Sequence, residues 1–204
     1  SLNQSVRNTN DAISLVNTYD GAAAEIESIL IRMRELAVQT RNGTYEEADR
    51  TNANFEYTAL KNEITRIAGV SAFNRMTVGQ GSSGAAGGTG VADTTFTFYV
   101  GSDVAKTGNS IAFAAKALDL NLAVSSGTLN SVADTTNAAS AIATLDDAIT
   151  ELAANRAQAG ALINRLEHTV SNLMNVSQRL QEAVSGIEDA DYAAESANLA
   201  RGMV

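Results

Sequence analysis

The sequence predicts a mainly α protein: an elongated antiparallel helical bundle, or coiled-coil rod, with a small β-hairpin region at its distal end. Three observations carry this expectation. There is no proline in 204 residues, and proline is the commonest interruption of a long helix. From Ile142 one heptad position reads Ile142, Ile149, Arg156, Ile163, Val170, Ser177, Val184, and a second reads Leu145, Leu152, Ala159, Leu166, Leu173, Leu180, Ile187. A repeat of 3.5 residues sustained over that length requires a long helix with a partner along it. Aromatic residues make up only 5% of the chain while alanine is plentiful, a composition suited to closely packed helices.

Taken in order, apolar or small residues fall at Leu2, Val6, Thr9, Ile13, Val16, Tyr19, Ala23, Ile26, Leu30, Met33 and Ala37. Steps of three and four trace one face of a helix, which should end at the turn dipeptide Asn42-Gly43. Thr44 and Glu47 have the spacing of a capping box. A second helix follows, with Ala53, Tyr57, Leu60, Ile64 and Ile67 on one face and an end near Gly69.

Composition then changes. Residues 79–90 are rich in Gly, Ser and Ala and read as a loop. The run from Asp93 to Val100 alternates at Phe96, Phe98 and Val100, a strand signal. Ser110 to Phe113 is its expected hairpin partner, with a turn around Gly101 and Gly108. The long helix, expected over about 137–200, returns the chain along the first two helices. The expected organisation is therefore 1–71 as the N-terminal part of the rod, 72–136 as a variable Gly-rich and β region, and 137–204 as the C-terminal long helix. Both chain ends should meet at one end of the rod.

Composition also narrows the function. A formal net charge of −9 argues against a nucleic-acid partner, which calls for a basic face. The absence of cysteine excludes disulfides, thiolate zinc sites and thiol catalysis. No apolar run approaches a membrane span, and no signal peptide is visible at Ser1. His168 is the only histidine. Without a second His or any Cys it makes a poor metal ligand, and nothing marks a nucleophile for a triad. Asp146-Asp147 and Glu46-Glu47 are adjacent pairs whose side chains diverge on a helix. Asp189, Asp191 and Glu195 read as a solvated face. Residues 85–90 lack the Lys-Ser/Thr of a phosphate loop. The expected assignment is no enzyme, no cofactor and no metal.

The residue strings resemble bacterial flagellin. Leu2-Asn3-Gln4 with Arg7 to Ser14 is similar to the family's LNQ…RNANDGIS, and Leu30 to Gln39 to its LQRxRELAVQ. Asn62 to Ile67 followed by Phe73-Asn74 resembles NEIDRI…FNG, Asn164 to Leu173 resembles NRLEHTxxNL, and Asp189 to Glu195 resembles DADYAxE. These strings stand in family order over about 140 residues. Ala12 replaces a family glycine, Arg75 stands where FNG has glycine, and Ile31 replaces a glutamine. The DDAAGL element and further terminal segments of the family are not in this sequence, so the chain is expected to be a trimmed core, monomeric or weakly associating.

The resemblance implies a structural subunit of the flagellar filament, serving motility. Such a subunit is extracellular, exported without a cleaved signal peptide, and self-assembles when the terminal segments are present. It also implies an immune partner, Toll-like receptor 5, and by motif places that contact at Arg32, Leu36 and Gln39 with Glu56. Two rivals share parts of this pattern. One is a hook–filament junction protein, against which the RELAVQ and NRLEHT strings weigh. The other is a flagellin-like surface adhesin or glycan receptor, for which the sequence supplies no aromatic sugar platform.

Overall fold

The computed structural model is described for residues 2–79, 94–101, 108–118 and 131–203; within the last helix, side chains are described except those of 188–195. Of the expected loop over 79–90, residues 80–90 lie outside the described residues, as do residues 102–107 of the expected turn between Gly101 and Gly108. Three helices dominate: α1 (Leu2–Arg41), α2 (Glu47–Val70) and α3 (Thr135–Met203). Two short antiparallel ribbons accompany them, β1 (Ala72–Phe73) with β2 (Met76–Thr77) and β3 (Thr94–Tyr99) with β4 (Ser110–Ala115). The expected fold class holds.

α1 is a single helix of 40 residues whose buried face includes Thr9, Val16, Tyr19, Ala23, Ile26, Leu30, Met33 and Ala37. It passes unbroken through Gly21, whose surroundings are open. α3, at 69 residues, is on the order of 100 Å long at 1.5 Å per residue. It starts on a well-formed cap: Asp134 Oδ1 accepts the N–H groups of Thr136 and Asn137, each at 2.8 Å. α3 runs antiparallel to α1, since Arg34 pairs with Asp146 and Arg156 with Asp20 and Glu27. α2 folds back on α1, with Arg32 bonded to Glu56 and Arg50 Nε donating to the Thr40 carbonyl at 3.0 Å.

The core runs along the rod axis. Its largest fully buried side chains include Tyr19, Ile26, Leu30 and Met33 from α1, Tyr57 and Ile64 from α2, Leu118 after the second ribbon, and Leu145, Leu152 and Leu166 from α3. The heptad phase of α3 differs from expectation. The Leu145, Leu152, Ala159, Leu166 line is fully buried, but its companions are Ala141, Ala148, Asn155 and Leu162. Ile142, Ile149, Arg156 and Ile163 lie one position further round and are half-buried. Alanine lets the backbones of α1 and α3 approach closely, and the long β-branched isoleucines then close the rim of the seam.

Other expectations are corrected as well. Thr44 forms no capping box: α2 begins at Glu47, the residue before it (Glu46) is extended at φ −81° and ψ 166°, and no side chain caps the helix. Thr44 is thus two residues too early, and its N–H turns to Asn42 Oδ1 at 3.4 Å. Glu47 and Asp49 in the first turn supply the negative charge that the α2 N-terminus favours. The termini also do not finish level. Leu2 shares a groove with Leu180, Val184 and Ser185, so the α3 residues beyond Ser185 extend roughly 27 Å past the start of α1. Leu180, Val184, Ile187, Leu199 and Met203 are all more than half exposed.

The β3–β4 ribbon is not beyond the far end of the rod, where the sequence placed it. It lies along the N-terminal half of α1. Phe96 faces Phe113 and Phe98 faces Ile111 across the ladder, giving the ribbon one apolar face. That face packs on α1: the Phe113 and Tyr19 rings meet edge to face with centroids 5.3 Å apart. The Tyr19 hydroxyl donates to the Lys116 carbonyl at 3.0 Å, and Asn8 Nδ2 donates to the Tyr99 carbonyl at 3.3 Å. A two-stranded ribbon is marginal alone, and burying its aromatics on a helix resolves that.

Candidate interaction surface

The four residues expected to form a contact site sit where α1 and α2 run side by side. Arg32 lies on the exposed side of α1. Its guanidinium bonds Glu56 across the helix pair at 2.8 Å and Glu35 one turn on at 3.1 Å. These carboxylates, Glu56 first, hold Arg32 in its charged form more firmly than usual. Both partners are about half exposed, so the pair contributes shape and charge more than stability. Gln39, two turns further along, is exposed and donates from Nε2 to the Tyr45 hydroxyl at 2.8 Å. Arg32, Glu56 and Gln39 thus form one polar surface over the α1–α2 seam.

Leu36 does not join them. It is 2% exposed and belongs to the core. Spacing of four from Arg32 places the two on neighbouring rows of the helix, but the apolar row turns inward toward α2 and α3. The surface instead includes two residues that sequence reasoning passed over. Glu35 is the second anchor of Arg32, and its i,i+3 spacing was readable. Arg50 is the other: Nε takes the Thr40 carbonyl and Nη2 the Asn42 carbonyl at 3.4 Å. That clamp joins the α1 C-terminus to α2 and depends on the fold, so no local motif announces it.

A second charged cluster bridges α1 and α3. Arg156 Nε donates to Asp20 at 3.0 Å and Nη1 donates to Glu27. The side chains are 35% exposed for Arg156 and Asp20 and 25% for Glu27. The hydrogen bonds that Arg156 donates, to Asp20 first and then to Glu27, raise its pKa further above the ordinary value. Beside it, Asn155 is buried in the seam with Nδ2 unpartnered, one of two such buried side-chain atoms among the described residues, with the Tyr57 hydroxyl.

The residues weighed for chemistry stand apart. His168 is exposed. Asp146 is engaged by Arg34, and Asp147 is exposed beside it. The side chains of Asp189, Asp191 and Glu195, and the residues 85–90, lie outside the described set. Among the described residues no group of three His, Cys, Asp or Glu side chains could hold a metal, and no helix is long and apolar enough to cross a membrane.

The comparisons with known proteins follow this architecture. Residues 1–83, covering α1, α2 and the β1–β2 ribbon, match the bacterial flagellin N-terminal helical region. Residues 142–203, nearly all of α3, match the bacterial flagellin C-terminal helical region. The β3–β4 ribbon falls between the two matches. A flagellin of Halalkalibacterium halodurans is 38% identical over 202 residues, 98% of this chain and 69% of that protein. The flagellar filament core protein flaB2 of Brachyspira hyodysenteriae is 34% identical over 205 residues, all of this chain and 71% of the relative. Among solved structures, the crystal structure of Bacillus cereus flagellin superposes with a TM-score of 0.66 at 35% identity, over 82% of this chain and 88% of that one. With both ends of the rod matched in order and the fold shared, the chain belongs to the bacterial flagellin family, the structural subunits of the flagellar filament.

Proposed function

We propose that this filament subunit presents the α1–α2 face to Toll-like receptor 5, with Arg32, Glu56 and Gln39 as the contact set and Leu36 as the core residue that holds Arg32's turn in place. The observation that carries the reading is the Arg32–Glu56–Glu35 cluster. It is exposed, fixed by bonds across two helices, and mounted on a rigid seam, so little ordering is needed on binding. An arginine held in a defined pose is a frequent hot spot.

In the same reading, residues 1–71 and 137–204 form the rod and 72–136 the variable part, and the protein is exported without a cleaved signal peptide. Lateral, non-closing contacts between rods would extend the filament. Extending the chain with the parts of the Halalkalibacterium halodurans flagellin outside the match, followed by electron microscopy, tests assembly; filaments are expected, and an extended chain that stays soluble and unassembled refutes that part. For the receptor, Arg32→Ala should weaken binding at least roughly tenfold with an unchanged circular dichroism spectrum. Native-like affinity of Arg32→Ala in a titration against the receptor ectodomain would reject the assignment.

A further inference from the structure

We propose that Asn42 is a site of spontaneous deamidation, which converts the α1–α2 turn from a neutral amide to a carboxylate or an isoaspartyl linkage. Asn42 and Gly43 form the sole Asn-Gly pair in the chain, and both are exposed. In this reaction the Gly43 backbone nitrogen loses its proton and attacks Cγ of Asn42. A C–N bond forms, the Cγ–Nδ2 bond breaks, and ammonia leaves. Water then opens the resulting five-membered imide at either carbonyl, giving aspartate or isoaspartate with no change in oxidation state.

Three features of the turn favour this reaction. The Gly43 N–H has no acceptor among the described residues, so its proton is available to solvent base. A Cβ at Gly43 would meet nothing within 4 Å, and glycine itself puts no side chain in the path of attack. Asn42 Oδ1 accepts the Thr44 N–H at 3.4 Å, an Asx-type bond that curls the side chain over the peptide of Gly43. Other described asparagines lack this combination. Asn17, Asn62 and Asn172 are inside helices, where the following N–H is committed to the i−4 carbonyl and the backbone is fixed. Outside helices, Asn74 is followed by Arg75 and Asn109 by Ser110, whose side chains shield the nitrogen.

The product changes this corner of the rod. A carboxylate at position 42 sits at the C-terminal end of α1, where the helix dipole disfavours negative charge. An isoaspartyl bond lengthens the backbone by one carbon, which breaks the register of the Tyr45 N–H on the Asn42 carbonyl, now 3.3 Å. Arg50, which holds that same carbonyl, becomes the nearest cation.

The test is peptide mass mapping of the intact protein after incubation at mildly alkaline pH. The Asn42 peptide should gain about one mass unit several-fold faster than peptides carrying Asn17, Asn62 or Asn172, and isoaspartyl methyltransferase should label it. Gly43→Ala should slow the reaction several-fold with an unchanged helical spectrum, because the site has room for the methyl group. In urea the helical asparagines should accelerate while Asn42 changes little. An Asn42 peptide no more modified than the helical controls overturns the proposal. So does a Gly43→Ala variant that reacts as fast as the native chain, or a large acceleration of Asn42 on unfolding.

Discussion

Replacing Arg156 with methionine tests how α1 and α3 are held against each other. Methionine keeps most of the stem and removes the charge. Two charge-assisted bonds are lost, to Asp20 and Glu27. With side chains 25–35% exposed, each is discounted for solvent to about 0.5 kcal/mol. The two carboxylates, one on each side of the vacated guanidinium, are then left partly desolvated against the seam, which adds a comparable amount. The expected loss is about 1–2 kcal/mol, or a fall in melting temperature of roughly 2–8 °C for a chain of this size. Urea unfolding followed by circular dichroism measures it, with Arg165→Met, an exposed arginine on the same helix, as control. Adding Asp20→Asn and Glu27→Gln to Arg156→Met should restore part of the loss, since the stranded charges disappear. If Arg156→Met unfolds at the same urea concentration as Arg165→Met, the cluster is surface decoration and the reasoning is wrong.

Three further outcomes follow from single residues. Asn74 and Arg75 have φ of 48° and 67°, a left-handed two-residue turn that glycine adopts freely; Arg75→Gly should stabilise the protein by about 0.5–1 kcal/mol, and a lower unfolding midpoint would contradict that. The Tyr57 hydroxyl is buried without a partner, and burial drives its pKa well above the ordinary tyrosine value; Tyr57→Phe should be neutral or stabilising by up to about 1 kcal/mol, whereas a loss above that on calorimetry would reveal a hidden partner. The hydrogen bonds from Arg66 hold the Glu63 carboxyl below its usual pKa. A depressed carboxylate stabilises the fold above its unfolded pKa, and the contribution disappears as pH falls through the lower folded value. Arg66→Gln should therefore move the Glu63 midpoint upward in an NMR titration, and an unmoved midpoint would exclude the pairing.

How far the fold was legible depends on the range of the interaction that decides each feature. The helices were legible because their signal is local: the α1 stripe from Leu2 to Ala37 and the Leu145 line of α3 each repeat a single period many times. The β3–β4 pairing was legible for the same reason, since alternation at Phe96 and Phe98 needs a facing apolar strand, which Ile111 and Phe113 supply. Where the ribbon docks was not legible. Tyr19 meeting Phe113 and Lys116 spans almost half the chain, and no local pattern in α1 distinguishes a tyrosine that packs on a ribbon from one that faces a helix. The contact surface divides in the same way. Arg32 with Glu35 was readable from spacing and Glu56 only from the family resemblance, while Arg50 enters the surface only through the α1–α2 pairing. Leu36 was misplaced because a motif carries residue identity without orientation.

The heptad phase shows why a period alone does not give a seam. The lines that begin at Ile142 and Leu145 are largely apolar, interrupted at Arg156 and Ser177, and the alternative pair that begins at Ala141 and Leu145 is largely apolar too, interrupted at Asn155. Hydrophobicity ranks isoleucine above alanine, so the sequence favours Ile142 and Ile149 as the buried partners of the leucines. Packing decides otherwise, because α3 must also accommodate α1's own large residues, Ile26, Leu30 and Met33, within one interhelical distance. Two large rows facing each other would hold the helices apart, whereas a row of Ala141 and Ala148 against that face lets them close. The same choice places Asn155 inside and Arg156 at the rim, within reach of Asp20 and Glu27. The ion cluster that joins the two helices is thus a consequence of which small residues line the seam.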